Sequence, residues 1–316
     1  MLHDSLEQLR LQAHDATTPG MLHEIATESL LLLRRAIAHD EPAVPLASWL
    51  AEVVTGLVHS PAAQASYTGE GQCQRIVTGL FGQGLGIPTA EICWLNVADT
   101  VPAAEAADHL LADTFREAGF AVHSPSSATT IGTRETWQSR LAQAVADKHI
   151  DQLCMMLDAG SWMTPAVLAA LHDRALLQAA VLRSRPPQLK AHHLLPASDS
   201  IVDVRGHLIT PLSDLARYIA AAAGSPTTRH SERIDAGVQA GVITAATAES
   251  LQQCTVAGLQ LVFSRFAEGV ADLPEPYAMV PQLERSMYGA SCRNLSTIIA
   301  AVLTSTPSTP SIETSS

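Results

Sequence analysis

Four arginines, the first of them Arg205, lie between positions 205 and 233 of a chain that otherwise carries an excess of acidic residues. A guanidinium group can bind phosphate or carboxylate through two parallel hydrogen bonds, so this set could form an anion-recognising surface. Asp214 and Arg217 are three positions apart, and Arg229 and Arg233 are four apart, so each pair shares one face of a helix. The same spacing allows salt bridges that fix helices together, and on spacing alone we favour that interpretation slightly.

Asp158 is a second candidate for chemistry because it directly follows a short apolar run at residues 153–157. We predict that this run is a buried strand. A carboxylate at the point where a buried strand emerges can hold a metal ion, and single aspartates at such points are also common turn residues. Taken alone, Asp158 leaves both interpretations open.

The stretch FGQGLGIPTAE, residues 81–91, places three glycines directly before another apolar run at residues 92–97. A backbone rich in glycine can approach a phosphate closely. However, no Gly-Lys-Ser/Thr follows here, and a dinucleotide-binding fingerprint would follow a strand rather than precede one. The spacing therefore favours a loose connecting turn over a phosphate cradle.

The periodicity of apolar residues indicates the elements that must position these side chains. Apolar residues recur every three or four positions over residues 5–65, which predicts helices. The next part alternates short apolar runs at 92–97, 120–122 and 153–157, which we predict to be strands, with helical stretches, and this order is typical of an α/β arrangement. From Thr164 onward the pattern is helical, and the pairs Thr164-Pro165 and Thr210-Pro211 predict helix starts with a capping hydroxyl.

The composition limits the classes of partner. Lys and Arg number 19 against 31 Asp and Glu, a net charge of −12, which argues against a nucleic-acid or anionic membrane surface. No apolar run approaches the roughly 18 residues of a membrane helix, and no secretory signal is recognisable. The 5 cysteines and 13 histidines form no metal-binding pattern. We expect a cytoplasmic protein with reduced cysteines.

Two segments, VDVRGHLITPLSDLARYIAAAAG and TTRHSERIDAGVQAGVIT, together with the later PQLERSMYGASCRNL, resemble the C-terminal domain of the nucleotidyltransferases related to PII uridylyltransferase. The resemblance spans roughly residues 5–305 and is most specific in the C-terminal half. It implies a substrate-binding role for the residues that match the family: Asp203, Arg205, Asp214, Arg217, Arg229 and Arg233.

The transferase portion of that family seats nucleotide phosphates on a Gly-Ser pair. Paired aspartates and a third carboxylate hold Mg²⁺ there, so that metal ions clamp the attacking and leaving oxygens. In this sequence Thr89 and Glu91 stand at the place of the paired aspartates, and no Gly-Ser pair precedes them. Asp158 matches the third carboxylate. The resemblance therefore implies Asp158 and Glu91 as the remaining catalytic candidates, with Asp158 as the metal ligand if activity is retained.

We predict an α+β, mostly helical fold: a nucleotidyltransferase-like small sheet with flanking helices, followed by a C-terminal helical bundle. The predicted domains are an N-terminal helical segment (1–65), a degenerate nucleotidyltransferase-like α/β domain (66–163) and a helical substrate-binding domain (164–305). The serine- and threonine-rich tail (306–316) lacks the apolar residues needed to order itself.

Three functional classes are compatible with this sequence. The protein could be catalytically weak or inactive and act in regulation by binding a nucleotide or a partner protein, and we favour this class. It could be an active enzyme that transfers a nucleotidyl group from a nucleoside triphosphate with Mg²⁺, or a structural subunit whose helices dock. For the regulatory class, the expected partners are a PII-like protein or a separate sensor-domain protein.

Overall fold

The computed structural model of the chain describes residues 2–171, 174–188, 191–192, 195–196, 201–270, 274–276 and 280–305. The predicted disordered tail, residues 306–316, lies outside the described residues. The chain is mostly helical and contains a small mixed sheet in its middle part, which confirms the predicted α+β class.

The N-terminal part is helical, as its apolar periodicity predicts. A threonine hydroxyl, that of Thr18, accepts from the backbone N–H of Met21 and caps the second helix. The indole of Trp49 donates to the carbonyl of Leu6 over 2.7 Å and ties the third helix to the first. The helices are α1 (Asp4–His14), α2 (Pro19–Ala38), α3 (Ala43–His59) and α4 (Pro61–Ala65).

The middle part contains a three-stranded sheet in the order β1-β2-β3. β1 (Cys73–Thr78) runs antiparallel to β2 (Cys93–Ala98), and β3 (Ile131–Gly132) is parallel to β2. The short helix α5 (Gly79–Gly82) follows β1 directly. The helices that accompany the rest of the sheet are α6 (Val101–Glu117), α7 (Arg134–Ala146) and α8 (Ile150–Leu157).

Two strand predictions in this part are wrong. Residues 153–157 belong to helix α8, because a short apolar run does not distinguish a strand from two buried helical turns. Residues 120–122 contribute only an isolated bridge between Val122 and Ile92, and the third strand forms later in the chain. β1 went unrecognised because Arg75, a charged residue, occupies one of its buried positions.

The C-terminal part is helical, with two small two-stranded pairings beside the helices. Ala191–His192 pairs with Leu195–Pro196, and Ile201–Val202 pairs with Glu275–Pro276. The helices are α9 (Thr164–Ala170), α10 (Ala175–Ser184), α11 (Thr210–Ala222), α12 (His230–Gln239), α13 (Ala245–Ala267) and α14 (Gln282–Ser305).

Helices α9 and α11 begin at the predicted threonines, but the predicted capping role is wrong. The residues before them, Met163 and Ile209, occupy the cap positions without a side-chain hydrogen bond. A π-helical turn, Arg205–Ile209, runs directly into α11, so Thr210 already has helical dihedral angles. The hydroxyl of Thr164 instead donates to the carbonyl of Leu157 over 2.9 Å, across the end of α8.

One hydrophobic cluster connects the three predicted domains, running from Leu6 in α1 through Leu95 in β2 to Val302 in α14. The domain boundaries at 65 and 163 stay a prediction. By length and composition the segment Ala43–Ala65 could cross a membrane, yet 67% of its apolar window is buried inside the protein. The helices α9 and α10 meet the same criteria only when they are counted together as one span, and the angle between the two helices is 106°.

Candidate functional site

The glycine-rich stretch is packed tightly between β1 and α3. A Cβ atom on Gly86 would lie 2.5 Å from the backbone nitrogen of Ala51, and the Gly86 N–H donates to the carbonyl of Ala47 over 3.0 Å. Gly84 has a φ of +76°, which favours glycine, and the Arg229 guanidinium lies against it. The stretch is a connection between β1 and β2, as predicted, but it is not loose, because its glycines let α3 and the Arg229 side chain pack closely against its backbone.

Asp158 is the cap residue at the C-terminal end of α8, not a residue at the end of a strand. Its side chain is excluded from solvent, with 0% exposure. Arg217 from α11 donates from Nη2 to Oδ2 over 2.6 Å and from Nε to Oδ1 over 3.1 Å. Arg233 from α12 donates from Nη1 to Oδ1 over 2.8 Å. Asp158 therefore binds two arginines from the C-terminal helices.

Further polar groups complete this Asp158 cluster, which we define as Asp158, Arg217, Arg233, Asp214 and Gln83. Arg217 also donates to Asp214 over 2.7 Å, and Gln83 donates to Asp158 over 3.1 Å. With two aspartates and two arginines the cluster carries no net charge. Its members come from the glycine-rich stretch, from α8 and from α11 and α12, so it connects the sheet-containing part to the C-terminal helices.

The cluster keeps Asp158 ionised. Burial acts to raise the pKa of this carboxyl, but the charges of Arg217 and Arg233 and their hydrogen bonds outweigh that effect. The net result is a pKa below the ordinary value for aspartate. Each carboxylate oxygen already accepts from two of the three donor residues, so the lone pairs that a metal ion would need are occupied.

Glu91, the other catalytic candidate, lies apart from this cluster on the surface. Its side chain is 63% exposed and contacts the His123 ring over 3.6 Å between Oε2 and Nδ1. Among the described residues, no group of three or more His, Cys, Asp or Glu side chains could hold a metal ion. The residues present therefore do not fit the two-metal centre that the resemblance implies.

The structure separates the predicted substrate-binding residues. Arg217, Arg233 and Asp214 lie together in the Asp158 cluster. For these three side chains the structure therefore matches the alternative interpretation, in which the charged residues form salt bridges between helices. The substrate-binding role stays a prediction for the set as a whole.

The other members of the set lie elsewhere. Arg205 donates to the carbonyl of Thr89 over 3.2 Å, so it contacts the segment just before Glu91. Asp203 accepts from the N–H of Gly206 over 2.7 Å within its own turn. Arg229 faces Glu52 at 3.8 Å.

Arg229 and His230 border a cavity of about 410 Å³ between α3, α12 and α13. The His230 ring is buried, and its Nε2 lies 3.1 Å from the hydroxyl of Thr255. That hydroxyl donates to the carbonyl of Leu251, so Nε2 must donate to it and Nδ1 is left as an acceptor. Neither this Nδ1 nor the Oε1 of Gln83 has a hydrogen-bond partner in the described structure.

Sequence reasoning did not identify Gln83 or His230. Gln83 lies 75 positions from Asp158 and 130 from Ser213, the two residues to which its amide donates. The backbone N–H of His230 donates to the carbonyl of Gln83 over 2.9 Å. No spacing rule links positions so far apart in the sequence. The only local signal was that Gln83 and His230 are each adjacent to a residue that the sequence analysis had identified as a candidate.

The comparison with known families agrees with the sequence resemblance. Residues 173–283 match a family model described as "Putative nucleotidyltransferase substrate binding domain". The matched segment contains Arg217, Arg229 and Arg233, and the match supports a relationship of this part of the chain to nucleotidyltransferases. The curated proteins contain no match to this chain.

Proposed function

We propose that this protein is a nucleotidyltransferase-related regulatory protein that binds a nucleotide or a partner protein and has lost metal-dependent nucleotidyl transfer. One observation carries the proposal: the carboxylate that matches the family's third metal ligand is buried and bound by Arg217 and Arg233. A Mg²⁺ ion at this position would have to displace both guanidinium groups and leave their charges buried without a counter-ion.

The surroundings of Glu91 support the same conclusion. A metal-dependent transferase needs carboxylates close enough to share one ion at about 2.0–2.1 Å per oxygen. Glu91 is exposed beside His123, whereas Asp158 is buried among arginines. A protein that keeps this fold without the metal centre is suited to binding. We further propose that it lies in the cytoplasm and that its partner is a PII-like or sensor-domain protein.

A transfer assay tests the proposal directly. The full chain is incubated with labelled ATP or UTP, Mg²⁺ and a PII-type acceptor, and we expect no label on the acceptor. Glu91→Gln is the matched variant, because its exposed side chain can be changed without disturbing the core. If the wild type transfers label and the Glu91→Gln variant does not, the alternative is established: the protein is an active Mg²⁺-dependent nucleotidyltransferase.

Calorimetric titration with ATP and with UTP, each with and without Mg²⁺, then tests the binding function. We expect binding of at least one nucleotide that does not require Mg²⁺. If neither nucleotide binds, the nucleotide part of the proposal fails, and the partner part is tested by cross-linking to a PII-like protein.

A further inference from the structure

The cavity of about 410 Å³ that His230 borders lies between the glycine-rich stretch and the helices α3, α12 and α13. We call it the His230 cavity. Its apolar wall is formed by Val44, Leu85, Ile234 and Val256. Ligand sites in proteins typically occupy about 300–1,000 Å³ and combine mostly apolar walls with a few polar groups that orient the ligand. The size and the walls of this cavity therefore fit a small organic molecule.

Two residues of the apolar wall are exposed to solvent. Val44 lies in the first turn of α3 and Val256 lies in α13, and both are exposed although their side chains are apolar. Single exposed apolar side chains are ordinary on a protein surface, but these two border the same cavity. An apolar ligand in the cavity would remove this surface from water, which favours binding.

The polar wall of the cavity contains two buried acceptors without a partner. In the described structure neither Nδ1 of His230 nor Oε1 of Gln83 forms a hydrogen bond. Nδ1 accepts because Nε2 donates to the Thr255 hydroxyl. Oε1 is the free end of the Gln83 amide because the amide nitrogen donates to the carboxylate of Asp158, which can only accept. A buried acceptor without a donor is unfavourable, so these two atoms call for an O–H or N–H group.

The His230 cavity and the charged groups beside it carry no net charge. Among the described residues that line the cavity, Arg229 is the only charged one, because burial lowers the pKa of His230 to about 4 and keeps its ring neutral. Arg229 faces Glu52 at 3.8 Å, and Glu52 also faces Arg10, which pairs with Glu7. These two arginines and two glutamates sum to zero. The cavity therefore suits an uncharged ligand and does not attract a polyphosphate.

We infer that the His230 cavity binds a small, uncharged molecule with a largely apolar body and one O–H or N–H group, as in a phenol or an indole. The body packs against the apolar wall, and the O–H or N–H group donates to Nδ1 of His230 or to Oε1 of Gln83. Both acceptors are shielded from water, where a hydrogen bond is electrostatically stronger than in solvent. The inference does not rest on the proposed function, because the ligand is neither a nucleotide nor a protein.

Calorimetric titration of the full chain with indole and with benzofuran tests the inference. The two molecules have the same ring system and nearly the same size, but benzofuran lacks the N–H group. We expect indole to bind at least about tenfold more tightly, since benzofuran leaves the buried acceptors without a donor. Equal affinity of the two molecules, or no binding of indole, would overturn the inference.

A variant at the edge of the cavity tests where indole binds. Val256→Trp adds a large side chain to the cavity lining from an exposed position of α13 and should abolish indole binding. The matched control is Leu110→Trp, which adds the same side chain at an exposed position of α6 and should leave the affinity unchanged. Thermal unfolding verifies that both variants are folded. Indole binding of equal affinity in the wild type and in Val256→Trp would show that indole does not bind in the His230 cavity.

Discussion

Asp158 and Arg233 form an ion pair of 2.8 Å between Oδ1 and Nη1 in which the side chains are only 0% and 1% exposed. Arg233 also donates to the carbonyl of Leu157 over 3.0 Å and to that of Thr227 over 3.0 Å. Arg233 therefore binds the end of α8 through both the side chain of Asp158 and the backbone of Leu157. The buried Asp158 carboxylate therefore joins the C-terminal helices to the sheet-containing part.

Replacement of Asp158 should destabilise the protein strongly. Asp158→Asn leaves the Arg217 and Arg233 charges buried with only Asp214 as a counter-ion, and removal of one partner from a buried pair costs about 3–5 kcal/mol. The free energy of unfolding from urea denaturation measures the loss. The matched control is Asp151→Asn, whose carboxylate pairs with Arg183 at the surface with 83% exposure and should change stability little. Equal stability of the two variants would contradict the structural role of Asp158.

The stability of the protein should fall as the pH falls from about 6.5 to about 4. Burial, together with the charges of Arg233 and Arg217, lowers the pKa of His230 to about 4. The unfolded chain, with an ordinary histidine pKa near 6.5, therefore takes up a proton before the folded protein does, and protonation favours unfolding in this window. The protonation of His230 alone should lower the free energy of unfolding by about 3 kcal/mol at the acid end of this pH range.

Urea denaturation at a series of pH values measures this effect, and His230→Gln should flatten the pH dependence between 6.5 and 4. The variant keeps a polar side chain near Thr255 but carries no titrating group. An unchanged slope in His230→Gln would mean that other groups cause the loss of stability.

Gly86→Ala should destabilise the protein because the new methyl group meets backbone atoms of α3. The nearest atoms to a Cβ at this position are Ala51 N at 2.5 Å and Ala47 O at 2.7 Å, and neither can rotate away. Overpacking of this kind costs about 1–3 kcal/mol. Gly20→Ala is the control, since its nearest such atom is Thr18 Oγ1 at 4.0 Å, and thermal unfolding should show no loss for it. A melting temperature unchanged by Gly86→Ala would refute the close packing of the glycine-rich stretch.

A second buried ion pair holds α6 against the sheet. Arg75 Nε lies 2.6 Å from Asp108 Oδ1, with side chains 0% and 1% exposed, and Asn96 donates to the same carboxylate. Asp108→Leu should cost about 3–5 kcal/mol, because it leaves the Arg75 charge unpaired. The double variant Arg75→Met/Asp108→Leu should recover part of this loss in a double-mutant cycle with the single variants Arg75→Met and Asp108→Leu, measured by urea denaturation. Additive losses in the cycle would show that the two side chains do not act as a pair.

Local patterns in the sequence predicted most of the helices. The apolar spacing over residues 5–65 and after residue 164 depends on neighbours three and four positions apart, so it is visible without the fold. The run at residues 92–97 also formed a strand, β2. The run at 153–157 failed because its length fits either two helical turns or a strand, and only packing of α8 in the core decides between them.

The sequence by itself determined the helical character, the acidic balance and the relationship to nucleotidyltransferases, since each depends on residue types and short spacings. The tertiary structure alone decided what Asp158 does. Its partners Gln83, Arg217 and Arg233 lie 75, 59 and 75 positions away. Burial and the direction of each side chain, which arise only when α8, α11 and α12 pack together, turned an expected metal ligand into the counter-ion of two arginines.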